Sequence, residues 1–536
     1  MNRKGKWTLL ATAAVGIGAV IWICRKWQER GIETGKDELA DESPGEEEPE
    51  IDGDVAAEED ESPSPEYEPK IVEGKIIVRG YDWGPGVDKV VFELSDKAFY
   101  VSGKSARIET KGEERRIRGA YLSTSHGERI QSRSSRFVTF DLETDFSVNG
   151  NPLVFDANKT FGNNWAEDYP LKAFFEIEEE GERCALQYEG NCRNKTNLLS
   201  PDTEGWIRLP EISGTYRNPF TKKYEVVTLQ RAACEPAALK EDGKKHPLVI
   251  WLHGQGEGGT DPDIVLLGNK VSALAKPAIQ DYFSTPGGAG GAFVYIVQSP
   301  TCWMDEGDGT NGKGDNESRY TEALMDAIKI YVESNPSVDT RRIYLCGCSN
   351  GGYMTVNMLI HYPEYFAAGI PCCEAYAFHE ITSTGDGNAM GGKNEVISKS
   401  ARWMTDEKIH RIKDIPIWFL ASADDTVVPP AAFELPTYQA LLRAGANNCW
   451  FSYYDCVKMA DDANARAEGH WVWIYFFNGL PMMVQDRTAI RESKDRQAFG
   501  FVPGEDTGGT QKAKIGTRTF ENCFEWLNEQ KRGQNE

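Results

Sequence analysis

Ser349 stands in Gly347-Cys348-Ser349-Asn350-Gly351, a G-x-S-x-G turn between the apolar run 342–346 and the helical-looking run 353–360. Strand, sharp turn and helix in that order are the context of a nucleophile elbow. A Cβ at either glycine would meet the adjoining strand or helix, so glycine allows the serine a forced backbone angle that presents its hydroxyl. A serine hydroxyl is a weak nucleophile at neutral pH. It needs a base within hydrogen-bond reach and a third group that orients the base. On a doubly wound sheet the chain order for this chemistry is Ser, acid, His. The histidines are His126, His246, His253, His361, His379, His410 and His470, and only His470 follows the apolar run 415–420, after which the acid is expected. His470, in Ala467-Glu-Gly-His-Trp-Val-Trp473, is therefore the expected base. The acid is expected at Asp425, four residues before Pro429 in an Asp-x-Val-Val-Pro pattern, with Asp424 as the alternative.

Acyl transfer also needs donors for the developing oxyanion, and fixed backbone N–H groups serve best. Asn350, directly after the nucleophile, is expected to supply one. The second is placed at Gln255, with Gly256 as the alternative, in the glycine-rich loop His253-Gly-Gln-Gly-Glu-Gly-Gly259. His253 is expected to brace that loop. Trp303, Trp471 and Trp473 are candidate aromatic walls for a sugar or aryl group, or ordinary packing. The loops 305–317 and 382–394, acidic and glycine-rich, are expected to be rims or lids. The first lacks the spacing of a calcium-binding hand, and no cysteine pair has the spacing of a zinc site with partner histidines. No cofactor or metal is expected.

These residues must be held by a sheet. From about Lys245, apolar runs at 247–252, 293–297, 343–346, 366–370, 415–420 and 449–454 alternate with helical patterns at 318–334 and 432–445. Near-continuous apolar strands separated by helices imply a mostly parallel sheet covered on both faces. Between about 71 and 231 the pattern differs: short alternating strands (74–79, 89–94, 135–142, 172–178) with Gly, Asn and Asp turns, an all-β sandwich signature. The expected fold class is α/β, a doubly wound mostly parallel sheet at 232–536, preceded by an all-β sandwich at 71–231.

The chain has 536 residues and a net charge of −24. Residues 31–70 hold 17 Asp and Glu against 2 Lys, so most of that charge lies in one stretch too polar to fold, read as an acidic linker. No basic face is left to neutralise phosphates, which excludes nucleic acid as a partner. Trp7–Cys24 is an uncharged run of 18 residues, basic on both sides and without small residues at its end. Residues 1–30 are expected to be an uncleaved membrane anchor with the bulk of the chain outside the cytoplasm; secretion after signal cleavage is the alternative. Of the cysteines, Cys184 and Cys192 are candidates for a local disulfide, and Cys449 and Cys456 for a pair or for burial.

The stretch from about Lys245 to Asn528 resembles bacterial secreted esterases of the α/β-hydrolase superfamily often labelled predicted peptidases, relatives of polyhydroxybutyrate depolymerases and feruloyl esterases. The matching pieces are Trp251-Leu-His-Gly-Gln-Gly-Glu-Gly-Gly259, Val297-Gln-Ser-Pro-Thr-Cys-Trp303, 338–353 around the elbow, Ala423–Pro429 and Glu468-Gly-His-Trp-Val-Trp473. Some members carry an N-terminal immunoglobulin-like domain, which suits the β-rich region. The resemblance implies Ser349, Asp425 and His470 as the triad and a carboxylic-ester substrate, small, aryl or carbohydrate-linked. A serine peptidase of the same fold is the alternative, and a surface binding protein with a vestigial hydrolase domain is the rival from another class. The insertion 478–517, before an expected final helix at 518–528, departs from the pattern and bears on access to the site.

Overall fold

The computed structural model describes residues 70–156, 162–307, 317–383, 395–492 and 498–533. The expected anchor and nearly all of the acidic linker lie outside them. Among the described residues, no helix is long and apolar enough to cross a membrane.

Two sheets face each other in the first part of the chain. One has the order Leu198–Leu199, Ile71–Tyr81, Gly84–Ala98, Ser135–Leu142, Ile117–Ser123; the other Glu182–Asn191, Pro170–Glu179, Tyr100–Thr110, Glu113–Arg115. Their inner faces interleave Ile76, Val78, Val90, Phe92, Phe140, Leu171, Phe175 and Ile177 into one core. Phe92, Phe140 and Phe175 meet there with ring centroids 5.0–6.1 Å apart. All eleven described cysteines are free. Cys184 and Cys192 cannot bridge, because seven residues of extended strand separate them by far more than the roughly 7 Å limit for a disulfide.

The second part is an eight-stranded sheet in the order Trp206–Arg217, Tyr224–Cys234, Phe293–Gln298, His246–Leu252, Val338–Cys348, Ala368–Cys372, Ile417–Ser422, Cys449–Tyr454. The first two strands are antiparallel and the remainder parallel. Successive residues serve opposite faces. Leu248, Ile250 and Leu252 pack under helices Thr321–Ser334, Asn350–His361 and Glu434–Arg443. Val249 and Trp251 pack under Trp473–Phe477 and Cys523–Glu529. Burial on both faces is why these strands read as unbroken apolar runs.

Two expectations are corrected. The hairpin 206–234 belongs to the larger sheet, so the division at 231/232 falls inside a strand bonded to Phe293–Gln298. The final helix begins at Cys523 and not at 518, because Asn522 caps it by accepting from the N–H groups of Phe524 and Glu525. The described part of the insertion runs along the outer edge of Cys449–Tyr454, where Tyr453 N–H donates to Gly508 and Gly504 N–H to Tyr453. That covers an edge strand that would otherwise expose unpaired backbone.

The two parts are fastened together. Buried Asp82 accepts from the backbone N–H groups of Ala460 and Asp461, from Lys270 Nζ at 3.0 Å and from Asn478 Nδ2 at 2.8 Å. Trp165 Nε1 donates to Asp261 at 2.8 Å, and Lys195 pairs with Asp263, which Arg208 of the larger sheet also holds.

Candidate active site

Strand Val338–Cys348 ends at the sheet's carboxyl edge, and Ser349 turns the chain into helix Asn350–His361 at φ 54°, ψ −115°. A non-glycine residue there costs about 1–3 kcal/mol and persists only where its surroundings enforce it. Ser349 N–H donates to Cys372 O at 2.9 Å, and Ser349 O accepts from Tyr353 N at 2.8 Å. A Cβ on Gly347 would lie 2.8 Å from Leu252 O, and one on Gly351 would collide with the same carbonyl. Only glycine lets the elbow sit this close to strand His246–Leu252.

His470 and Asp425 come to the serine from two other loops. Ser349 Oγ lies 2.8 Å from His470 Nε2, and His470 Nδ1 lies 2.8 Å from Asp425 Oδ2. Asp425 Oδ1 accepts from the N–H groups of Val427 (2.9 Å) and Val428 (2.7 Å), so the carboxylate is fixed at both oxygens. An ionised carboxylate only accepts, so Nδ1 carries the ring proton and Nε2 is left to take one from the serine. All three side chains are buried. Burial opposes a charged imidazolium, yet the charge and hydrogen bond of Asp425, together with Glu468, hold the His470 pKa above its ordinary value of 6.5. Asp424 is engaged elsewhere: its Oδ1 accepts from Ser422 Oγ at 2.6 Å, and burial raises its carboxyl.

Glu468 was not among the expected site residues. Its Oε1 accepts from both Thr426 N and Thr426 Oγ1 at 2.8 Å, and its Oε2 from His470 N at 2.6 Å. A carboxylate two residues before the expected base was the available signal.

In the glycine-rich loop, Gly254 N–H is already spent on Glu257 Oε2 at 2.9 Å, which also accepts from Asn269 Nδ2. Among the described residues, the N–H groups of Gln255 and Gly256 have no partner, and they follow Leu252 and His253, whose carbonyls abut Gly351 of the elbow. Glu257 is fully buried, and burial pushes its carboxyl up to about 8, so it is neutral at pH 7. His253 bonds Gly254 O through Nδ1 and Ser299 through Nε2, and burial pulls it down to about 4. It is a neutral brace. Asn350 Oδ1 accepts from Trp303 N at 2.5 Å, and Trp303 Nε1 donates to His253 O at 3.1 Å.

Trp303 is therefore sealed beneath the loop with no exposed face, and the expectation of a pocket wall there is corrected. Trp471 is half-buried and stacks with Trp473, whose ring stands edge-on to His470 at 5.6 Å. Most of the two expected rims, 308–316 and 384–394, lies outside the described residues. Among the described residues, no three metal-binding side chains converge.

A family model described as the esterase Ig-like N-terminal domain matches residues 73–180, and one for the prolyl oligopeptidase family matches 293–449. A crystal structure of a thermostable esterase covers 76% of this chain and 96% of its own at 22% identity, with a TM-score of 0.55. The fold is that of the α/β hydrolases. The β domain in front of it is Ig-like. Poly(3-hydroxyalkanoate) depolymerase C of Paucimonas lemoignei is 36% identical over 69 residues, 13% of this chain; the matched stretch spans only 15% of that relative's length. An acylaminoacyl peptidase structure covers 77% of this chain and 55% of its own at 14% identity, with a TM-score of 0.33. Both matched models and the fold support a serine hydrolase.

Proposed function

We propose that this protein cleaves carboxylic esters through a Ser349–His470–Asp425 triad. The observation that carries the reading is the unbroken line of two 2.8 Å hydrogen bonds running from a strained serine to a fixed carboxylate. Ser349 Oγ attacks the acyl carbon while His470 Nε2 takes its proton. Asp425 steadies the imidazolium, and the N–H groups of Asn350 and of the Gln255–Gly256 turn receive the oxyanion. The tetrahedral intermediate collapses, His470 gives its proton to the departing alkoxide, and the acyl-enzyme remains. Water, deprotonated by the same histidine, then releases the acid and restores the serine.

The match of the front domain to an esterase-specific model favours esters; the prolyl oligopeptidase match supports peptides as the second reading. Short-chain aryl esters and fluorogenic peptides assayed side by side separate the two. Ser349→Ala is expected to lower ester hydrolysis by at least about a thousandfold with folding intact; unchanged turnover would sink the reading. The same proposal tethers the hydrolase outside the cytoplasm through Trp7–Cys24, supported by that run's length and lack of charge. Recovery of the full chain in a soluble fraction after cell rupture would argue against the tether.

A further inference from the structure

We propose that Glu468 is a positioning residue that sets the distance and the charge balance between Asp425 and His470. The inference rests on the triad reading above and deepens it. Asp425 and His470 belong to loops 45 residues apart in sequence, each following a different strand of the sheet. The backbone joins them where they leave the sheet, through Ala423 N–H to Tyr454 O at 2.7 Å, before either loop reaches the triad in sequence. Glu468 joins them beside the triad with one carboxylate: Oε1 takes both donors of Thr426, the neighbour of the acid, and Oε2 takes the N–H of His470. Its own carbonyl accepts from Trp471 N at 2.9 Å, closing the turn around the base. Next in the chain, Gly469 presses against Asp424 and the backbone N of Asp425 so closely that a Cβ would not fit. The two loops are thus held both by close contact at Gly469 and by a carboxylate that accepts from each of them.

The charge matters as well as the reach. Glu468 faces His470, Asp425 and the Thr426 donors, with Asp424 across Gly469. Its negative charge adds to that of Asp425 in favouring imidazolium, the state His470 passes through when it has taken the serine proton. A glutamine has the same length but only one accepting oxygen. Its NH2 group must face an N–H donor of one loop, and the charge is gone.

The test compares Glu468→Gln, Glu468→Ala and Thr426→Val on the full chain, using a short-chain aryl ester and following kcat, KM and the pH dependence of kcat/KM. Expected are a fall in kcat of about tenfold or more for both Glu468 variants, KM within about twofold of wild type, and an acid limb displaced to lower pH in Glu468→Gln. Thr426→Val, which removes one of the three bonds and no charge, should lower kcat by less and leave the acid limb where it was. A wild-type kcat in Glu468→Gln, or an unmoved acid limb, overturns the proposal. Should Glu468→Ala fail to fold, as read by circular dichroism, Glu468→Gln and Thr426→Val still decide the matter. If Ser349→Ala is inactive and Glu468→Gln is unaffected, only this inference falls; if Ser349→Ala is active, the triad reading falls first.

Discussion

His470 is pulled in two directions, and under the proposed mechanism the outcome sets the pH range of ester cleavage. Burial favours the neutral ring, while Asp425 and Glu468 favour the charged one and prevail, so the pKa lies above 6.5. In the proposed mechanism His470 can take the serine proton only when neutral. The acid limb of kcat/KM is therefore expected to have its midpoint above pH 6.5, which a pH–rate profile with an aryl ester checks directly. Glu257 gives a second pH effect with the opposite reach. Its carboxyl is raised from 4.5 to about 8, so the folded protein keeps a proton that the unfolded chain releases. The stability this lends is full below about pH 4.5 and is lost as pH rises towards about 8. Urea unfolding of wild type and Glu257→Gln should differ between pH 5 and pH 8, with wild type losing ground at the higher pH. At this scale Ser349, His470 and the Asp424–Asp425 pair were legible, since motif, order and elimination are properties of one dimension. Glu257 and Glu468 were not. Their roles come from which loops meet; Glu468 had only its place two residues before His470 as a signal, and Glu257 in a polar loop looks like any solvated one.

The elbow illustrates how elements, not single groups, hold the chemistry. Strand Val338–Cys348, the turn and helix Asn350–His361 are packed so tightly on His246–Leu252 that Gly351→Ala must displace backbone. A stability loss of about 3 kcal/mol or more is expected, with activity lost in parallel, read by urea titration and ester assay. The apolar runs of the parallel strands were readable because burial on both faces leaves no polar alternation. The antiparallel hairpin 206–234 was misassigned for the converse reason. Its alternating, half-exposed strands share the pattern of a sandwich, and local pattern does not say which sheet a strand joins. Trp303 was misjudged similarly: proximity to the site in sequence says nothing about which side of the loop a ring packs on.

Over the whole molecule, the Ig-like domain and the hydrolase are joined by a buried carboxylate and not by apolar contact alone. Asp82→Ala would leave the N–H groups of Ala460 and Asp461 and the ammonium of Lys270 without their shared acceptor. A loss of about 3 kcal/mol is expected, visible as a lower melting temperature. The class of each half was legible from composition and period, but this fastening was not, because its partners lie up to 396 residues apart. The hairpin 206–234 has a final consequence for modularity. Any recombination that exchanges the front module, in nature or at the bench, must splice between Leu199 and Trp206. A later splice hands the recipient a hydrolase lacking its first two strands, with Phe293–Gln298 bare and ready to pair with another chain. The inheritable unit of the hydrolase fold therefore starts about forty residues before Lys245, where the sequence changes its rhythm.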